Sequence, residues 1–83
     1  MDAQGKPPRA WAAELIDAWI SRQPTAPIVD QIPDKYRGIA TMHARASCEL
    51  IRYWGRVAAT NGTASVPRKL KPAVTRYLYH REL

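Results

Sequence analysis

The side chains able to do chemistry in this chain are mostly cations. Thirteen Lys and Arg face seven Asp and Glu, beside two histidines and one cysteine. Arg37, Arg45, Arg52 and Arg56 fall within residues 35–60, with Glu49 as the one carboxylate among them. On a helix they share roughly 100° of arc and about 29 Å of length. Each guanidinium can grip a phosphate or a carboxylate through two parallel hydrogen bonds. A ridge of one sign suits an extended anion, whereas a purely solvating face mixes both signs. A second cluster follows at Arg68, Lys69 and Lys71, with Arg76 and Arg81 beyond it. Tyr77 and Tyr79 interleave with these last arginines. Tyr79 falls off the apolar face, where an aromatic among cations can stack on a base or anchor a protein contact.

Other chemistries lack their residues. His43 and His80 have no Cys or His at ligand spacing, so neither a metal nor a cofactor is expected. His43 lies inside an apolar stripe and reads as a core-edge histidine bonded to a carbonyl. Cys48 sits near arginines that favour a thiolate, but no base lies one turn away, so it reads as an inert thiol. There is no glycine-rich phosphate loop, no paired carboxylate arrangement and no nucleophile with its base, so an enzyme is not expected. A lone cysteine forms no internal bridge, and no signal-peptide pattern is visible; the expectation is a reducing cytoplasm. No apolar run approaches the roughly 18–20 residues that cross a bilayer.

These cations need elements to hold them. Eighty-three residues, 46% of them apolar, suffice for one core. Residues 1–7 are expected to be a flexible tail and 8–83 a single helical domain. Pro8 suits a helix start, and Trp11, Leu15, Ile16, Trp19 and Ile20 then line one face as far as about Arg22. Pro24 and Pro27 punctuate a loop over 23–32, whose Ile28, Val29 and Ile32 are expected to cap the core. Pro33 opens a long helix reaching Thr60, stopped by Asn61-Gly62. Leu70, Val74, Tyr77 and Leu78 stripe a last helix. The pattern predicts an all-α fold, a small three-helix bundle, short–long–short, over about 8–22, 33–60 and 71–82.

On the long helix, Tyr36, Ile39, His43, Ala46, Leu50, Tyr53 and Val57 recur at spacings of three and four. Ala40, Ser47, Ile51, Trp54 and Ala58 widen the stripe to roughly 160°, broader than a coiled-coil seam. The stripe is therefore expected to be core between the two short helices rather than a dimeric zipper. Trp11, Leu15, Trp19, Ile39, His43, Leu50, Trp54, Val74 and Tyr77 are expected to be buried together. Gly55, just after Trp54, is expected to allow close helix packing or a bend.

Charge is uneven along the chain. Residues 1–34 carry a net −2, while 35–60 and 61–83 carry +4 each. An anionic partner is thus expected on the C-terminal two thirds. A helix-turn-helix reader needs a connection of about three or four residues, which neither linker supplies, so backbone or groove binding is favoured over that motif.

Arg9-Ala10-Trp11-Ala12-Ala13-Glu14-Leu15, followed by Ile32-Pro33 and Arg37, has the form R-x-W-A-x-E-[I/L] … [V/I]-P-x-x-x-R. Over about residues 9–45 this resembles small helical proteins encoded by bacteriophages and mobile elements of proteobacteria. The basic C-terminal third has no counterpart in that pattern, and no site residue carries over from it. The resemblance implies an intracellular protein of phage or mobile-element origin, a class that often binds nucleic acid or blocks host machinery such as CRISPR defence complexes. The expectation is a non-enzymatic basic helical protein that binds nucleic acid through Arg37, Arg45, Arg52, Arg56, Arg68, Lys69, Lys71, Arg76 and Tyr79. The alternative is an inhibitor or adaptor that sets the same residues on an acidic protein surface of a host complex, as an anti-defence factor would. Either would act without membrane or metal, as a monomer or homodimer.

Overall fold

Every α-helix of the protein begins beside a proline. The computed structural model describes residues 5–81, and among these no strand occurs. Helix α1 spans Pro8–Ile20, α2 Ala26–Gln31, α3 Asp34–Asn61 and α4 Lys71–Arg81. Two 3₁₀ turns, Thr63–Ser65 and Arg68–Leu70, connect α3 to α4. Pro8, Pro27 and Pro72 occupy first turns, and Pro33 immediately precedes α3. A first-turn proline sacrifices no helical hydrogen bond, because those N–H groups have no partner within the helix anyway.

Among the described residues the architecture is all-α, with four α-helices where three were expected. The additional one is α2, lying inside the anticipated loop. Pro27 acts there as a starter rather than a breaker. The Thr25 carbonyl accepts from the N–H groups of Ile28 and Val29, both at 3.0 Å. Ile32 closes the segment fully buried, with Ile28 and Val29 half-buried beside it, so these three do cap the core. Helix α1 stops at Ile20, two residues short of the expected Arg22. Of the expected tail, residues 1–4 lie outside the described residues, as do 82–83 of the expected last helix. Lys6 pairs with the Glu14 carboxylate and sits 4.4 Å from the Trp11 ring centre. The Pro7 carbonyl accepts from Ala10 and Trp11 at 3.0 and 3.3 Å, which ties residues 6–7 to α1.

The core is strung along α3 in two clusters. In the first, Trp11, Ala12 and Leu15 of α1 and Ile32 meet Ala40 and Ala44 of α3. In the second, Ile20, Val66, Val74 and Tyr77 meet Ile51 and Ala58. Helix α3 thus turns its small residues inward: Ala40, Ala44, Gly55 and Ala58, with Ile51 the one large buried side chain. A Cβ on Gly55 would lie 2.8 Å from Tyr77 Cε2, so glycine here lets α4 approach α3, as expected.

This arrangement corrects the expected stripe of the long helix in part: Ala40, Ile51 and Ala58 are buried as expected, whereas the row beside them turns outward. Ile39, His43, Leu50 and Tyr53 are exposed rather than core, and so is Met42. Trp11, Leu15, Val74 and Tyr77 are buried as expected, while Trp19 and Trp54 are half-buried. The physical reason is volume. The short helices bring the bulky residues, and facing positions pack densely only where large meets small. Helix α3 therefore presents three faces roughly 120° apart: small and buried, apolar and exposed, and basic and exposed.

Candidate functional site

The basic face is built on the last turns of α1, the middle of α3 and the end of α4. Trp19 of α1 and Tyr77 of α4 stack with ring centres 5.1 Å apart and planes 15° from parallel. Arg52 of α3 lies 5.8 Å from the Trp19 ring centre, and Arg81 of α4 lies 5.4 Å from that of Tyr77. The aromatic faces hold both guanidiniums by cation–π attraction and leave their N–H groups available.

A third arginine is delivered by the end of α1. The Gln23 N–H donates to the Ala18 carbonyl at 2.8 Å, and the Arg22 N–H to the Trp19 carbonyl at 3.2 Å. This pairing closes the helix through a left-handed residue, a position that glycine usually fills. Here it is Arg22, with φ of 61°, the sole non-glycine at positive φ among the described residues. A bulky side chain in that conformation costs about 1–2 kcal/mol.

These side chains surround a cleft of about 550 Å³ lined by Trp19, Arg22, Arg52, Tyr77 and Arg81 together with Ile20 and the Gln23–Thr25 segment. Among the described residues no carboxylate lines it. Arg52 and Arg81 also line an adjoining hollow with Arg56. Arg52 lines a further one with Arg45, Cys48 and Glu49. Across these three hollows Glu49 is the single acidic side chain among the described residues, against five arginines. The lining can accept an anion. Among the described residues, no group of three or more His, Cys, Asp or Glu is placed to hold a metal ion. No helix among them is long and apolar enough to cross a membrane.

The structure separates the residues singled out in the sequence. Arg45, Arg52 and Arg56 stand together and exposed on one arc of α3. Arg37 turns away from them: its Nε donates to the Val29 carbonyl at 3.3 Å and its guanidinium to the Ile32 carbonyl at 2.9 Å. It also pairs with Asp34 at 2.7 Å. Arg37 thus fastens the C-terminal end of α2 to α3. Arg76 ties α4 to α1, through Asp17 at 3.2 Å and the Ser21 hydroxyl at 3.4 Å. Arg68, Lys69 and Lys71 are exposed on the turn before α4 and at its start, and do not line the cleft. Tyr79 is exposed, set edge-on to His80, and also lies outside the cleft. Burial pushes the Cys48 thiol above its ordinary pKa, against the smaller opposing pull of Arg52.

No family model, curated protein or solved structure matches the chain. The functional reading therefore rests on the cleft itself. Two of its arginines, Arg22 and Arg81, escaped the sequence-based selection. Arg81 follows Tyr77 by four residues, a spacing that puts both on one helix face and could have signalled the pair. No sequence signal marks Arg22, since residue type gives no hint of a left-handed arginine.

Proposed function

We propose that this is a non-enzymatic binding protein that holds the phosphate backbone of a nucleic acid in its arginine cleft. The observation that carries the reading is the convergence of Arg22, Arg52 and Arg81 on a cleft that no carboxylate among the described residues lines, with Arg45 and Arg56 extending it along α3. A folded protein gathers like charges only against their mutual repulsion, and a polyanion removes that cost. Arginine forks match phosphate oxygens, and contacts to phosphate position a partner without reading its sequence. Binding is accordingly weak in base preference and strong in salt dependence. The phage or mobile-element origin suggested by residues 9–45 belongs to the same proposal.

The test is fluorescence anisotropy with a labelled duplex and a labelled single strand over a salt series. Three to five phosphate contacts on duplex DNA give a log–log slope between about −2.7 and −4.5, at ~0.9 per phosphate. Changing Arg45 and Arg52 together to glutamate abolishes retention and leaves the helical circular dichroism intact, because both side chains are exposed. Absence of retention at low salt, or retention that survives the reversal, overturns the proposal. In that event an acidic protein surface becomes the partner to seek.

A further inference from the structure

Helix α3 carries an apolar face that none of the described elements covers. Ile39 is 44% exposed, Met42 64%, Leu50 46% and Tyr53 50%. Ile39, His43, Ala46, Leu50, Tyr53 and Val57 follow one another at alternating spacings of four and three, which is a two-stranded seam. The face lies roughly 130° around α3 from the buried one, so α1, α2 and α4 leave it open. The molecule measures 44 Å along its long axis, about the length of the 28-residue α3, so the seam runs down an unobstructed edge.

We infer that this face binds a second copy of the chain, with the two α3 helices antiparallel. Two observations single out that occupant. First, the seam is complementary to itself. With the helices crossing near residue 48, Ile39 lies level with Val57 of the second copy, His43 with Tyr53, and Ala46 with Leu50. The smallest residue of the seam thus meets one of the largest. Second, the area suffices. The four exposed fractions amount to about two whole large side chains, or ~400 Å² per copy at ~200 Å² each. Two copies, with His43, Ala46, Val57 and their flanks, reach the ~1,000–1,200 Å² that a specific interface needs. The antiparallel two-fold also brings the Arg45, Arg52 and Arg56 faces of both copies onto one side, doubling the basic surface.

Sedimentation across the micromolar range reads the state directly. The wild type is expected at twice the chain mass of 9.4 kDa, and Leu50→Glu and Tyr53→Glu at the single mass with helical circular dichroism unchanged. Both side chains are about half exposed, so the isolated chain tolerates them. Orientation is read in a Cys48→Ser background. Oxidation of mixed Ala46→Cys and Leu50→Cys chains gives the heterodimer for antiparallel helices, whereas Leu50→Cys alone cross-links only for parallel ones. A wild type that stays monomeric overturns the inference, as does a dimer that survives Leu50→Glu or a self-cross-link through Leu50→Cys alone. Because the seam excludes the cleft arginines, loss of nucleic-acid binding and loss of pairing are separate results.

Discussion

Arg22 offers the sharpest test of the cleft, because its backbone and its side chain predict opposite effects. Its φ of 61° places it in the left-handed region, where a β-carbon crowds the following carbonyl. Replacing it with glycine removes about 1–2 kcal/mol of that strain. The more flexible unfolded chain takes back about 0.4–1 kcal/mol. The net gain is about 0–1.6 kcal/mol, centred on ~0.8 kcal/mol or roughly 3–6 °C in Tm for a domain of this size. Arg22→Gly also removes one of the three guanidiniums of the cleft, so duplex binding weakens and the salt slope flattens by about 0.9. Thermal melts at 222 nm and anisotropy titrations on the same preparation give both readings. A protein that is both more stable and a poorer binder is the expected outcome. A lower Tm shows that the arginine is not strained and that its side chain supports the fold. An unchanged salt slope shows that Arg22 does not reach the ligand.

Four further outcomes are expected. Gly55→Ala drives a methyl to 2.8 Å from the Tyr77 ring, which is held against Trp19, and overpacking of this kind costs about 1–3 kcal/mol by urea denaturation. Arg37→Ala leaves the Val29 and Ile32 carbonyls without their cationic donor and lowers stability by about 1–3 kcal/mol, with nucleic-acid binding retained by anisotropy. Ile51→Ala costs about 2–5 kcal/mol, whereas Met42→Ala costs no more than ~0.5 kcal/mol in dilute solution; equal effects would mean that α3 is turned differently. Because burial raises the Cys48 pKa, its thiolate fraction at neutral pH is below that of a free cysteine. Alkylation by iodoacetamide is then slower than for a free cysteine and accelerates with rising pH to higher values; a faster reaction at neutral pH refutes the assignment.

Apolar spacing and the prolines at 8, 33 and 72 mark three of the helices in the sequence, and burial of Trp11, Leu15, Val74 and Tyr77 follows from the same periodicity. Helix α2 was hidden because a proline between helices is read as a stop, although Thr25-Ala26-Pro27 is also an acceptable start. Ala40, Ile51 and Ala58 of the expected α3 stripe are core, and the outward turn of Ile39, Leu50 and Tyr53 is hidden in the sequence for a deeper reason. Hydropathy ranks Leu50 and Tyr53 above Ala40, Ala44 and Gly55, whereas close packing against the tryptophan-bearing α1 selects the small residues. Of the basic ridge, Arg45, Arg52 and Arg56 were legible because they share one arc. Arg37 shares that arc, but helix periodicity says nothing of a neighbouring helix end whose carbonyls capture it. Arg22 depends on a backbone angle, and Arg81 on a contact between side chains one turn apart.

The division of the core into two clusters bears on how the molecule comes apart. Helices α1 and α3 both run through the two clusters, and Ile16 of α1 is the half-buried side chain packed against both. Helix α2 contains no fully buried residue, and its six-residue span cannot sustain a helix without tertiary support. Amide exchange is therefore staged, with α2 opening before the helices that bury the two clusters. The cleft draws on those helices, through Trp19 of α1, Arg52 of α3 and Tyr77 of α4, so opening of α2 leaves the recognition surface in place.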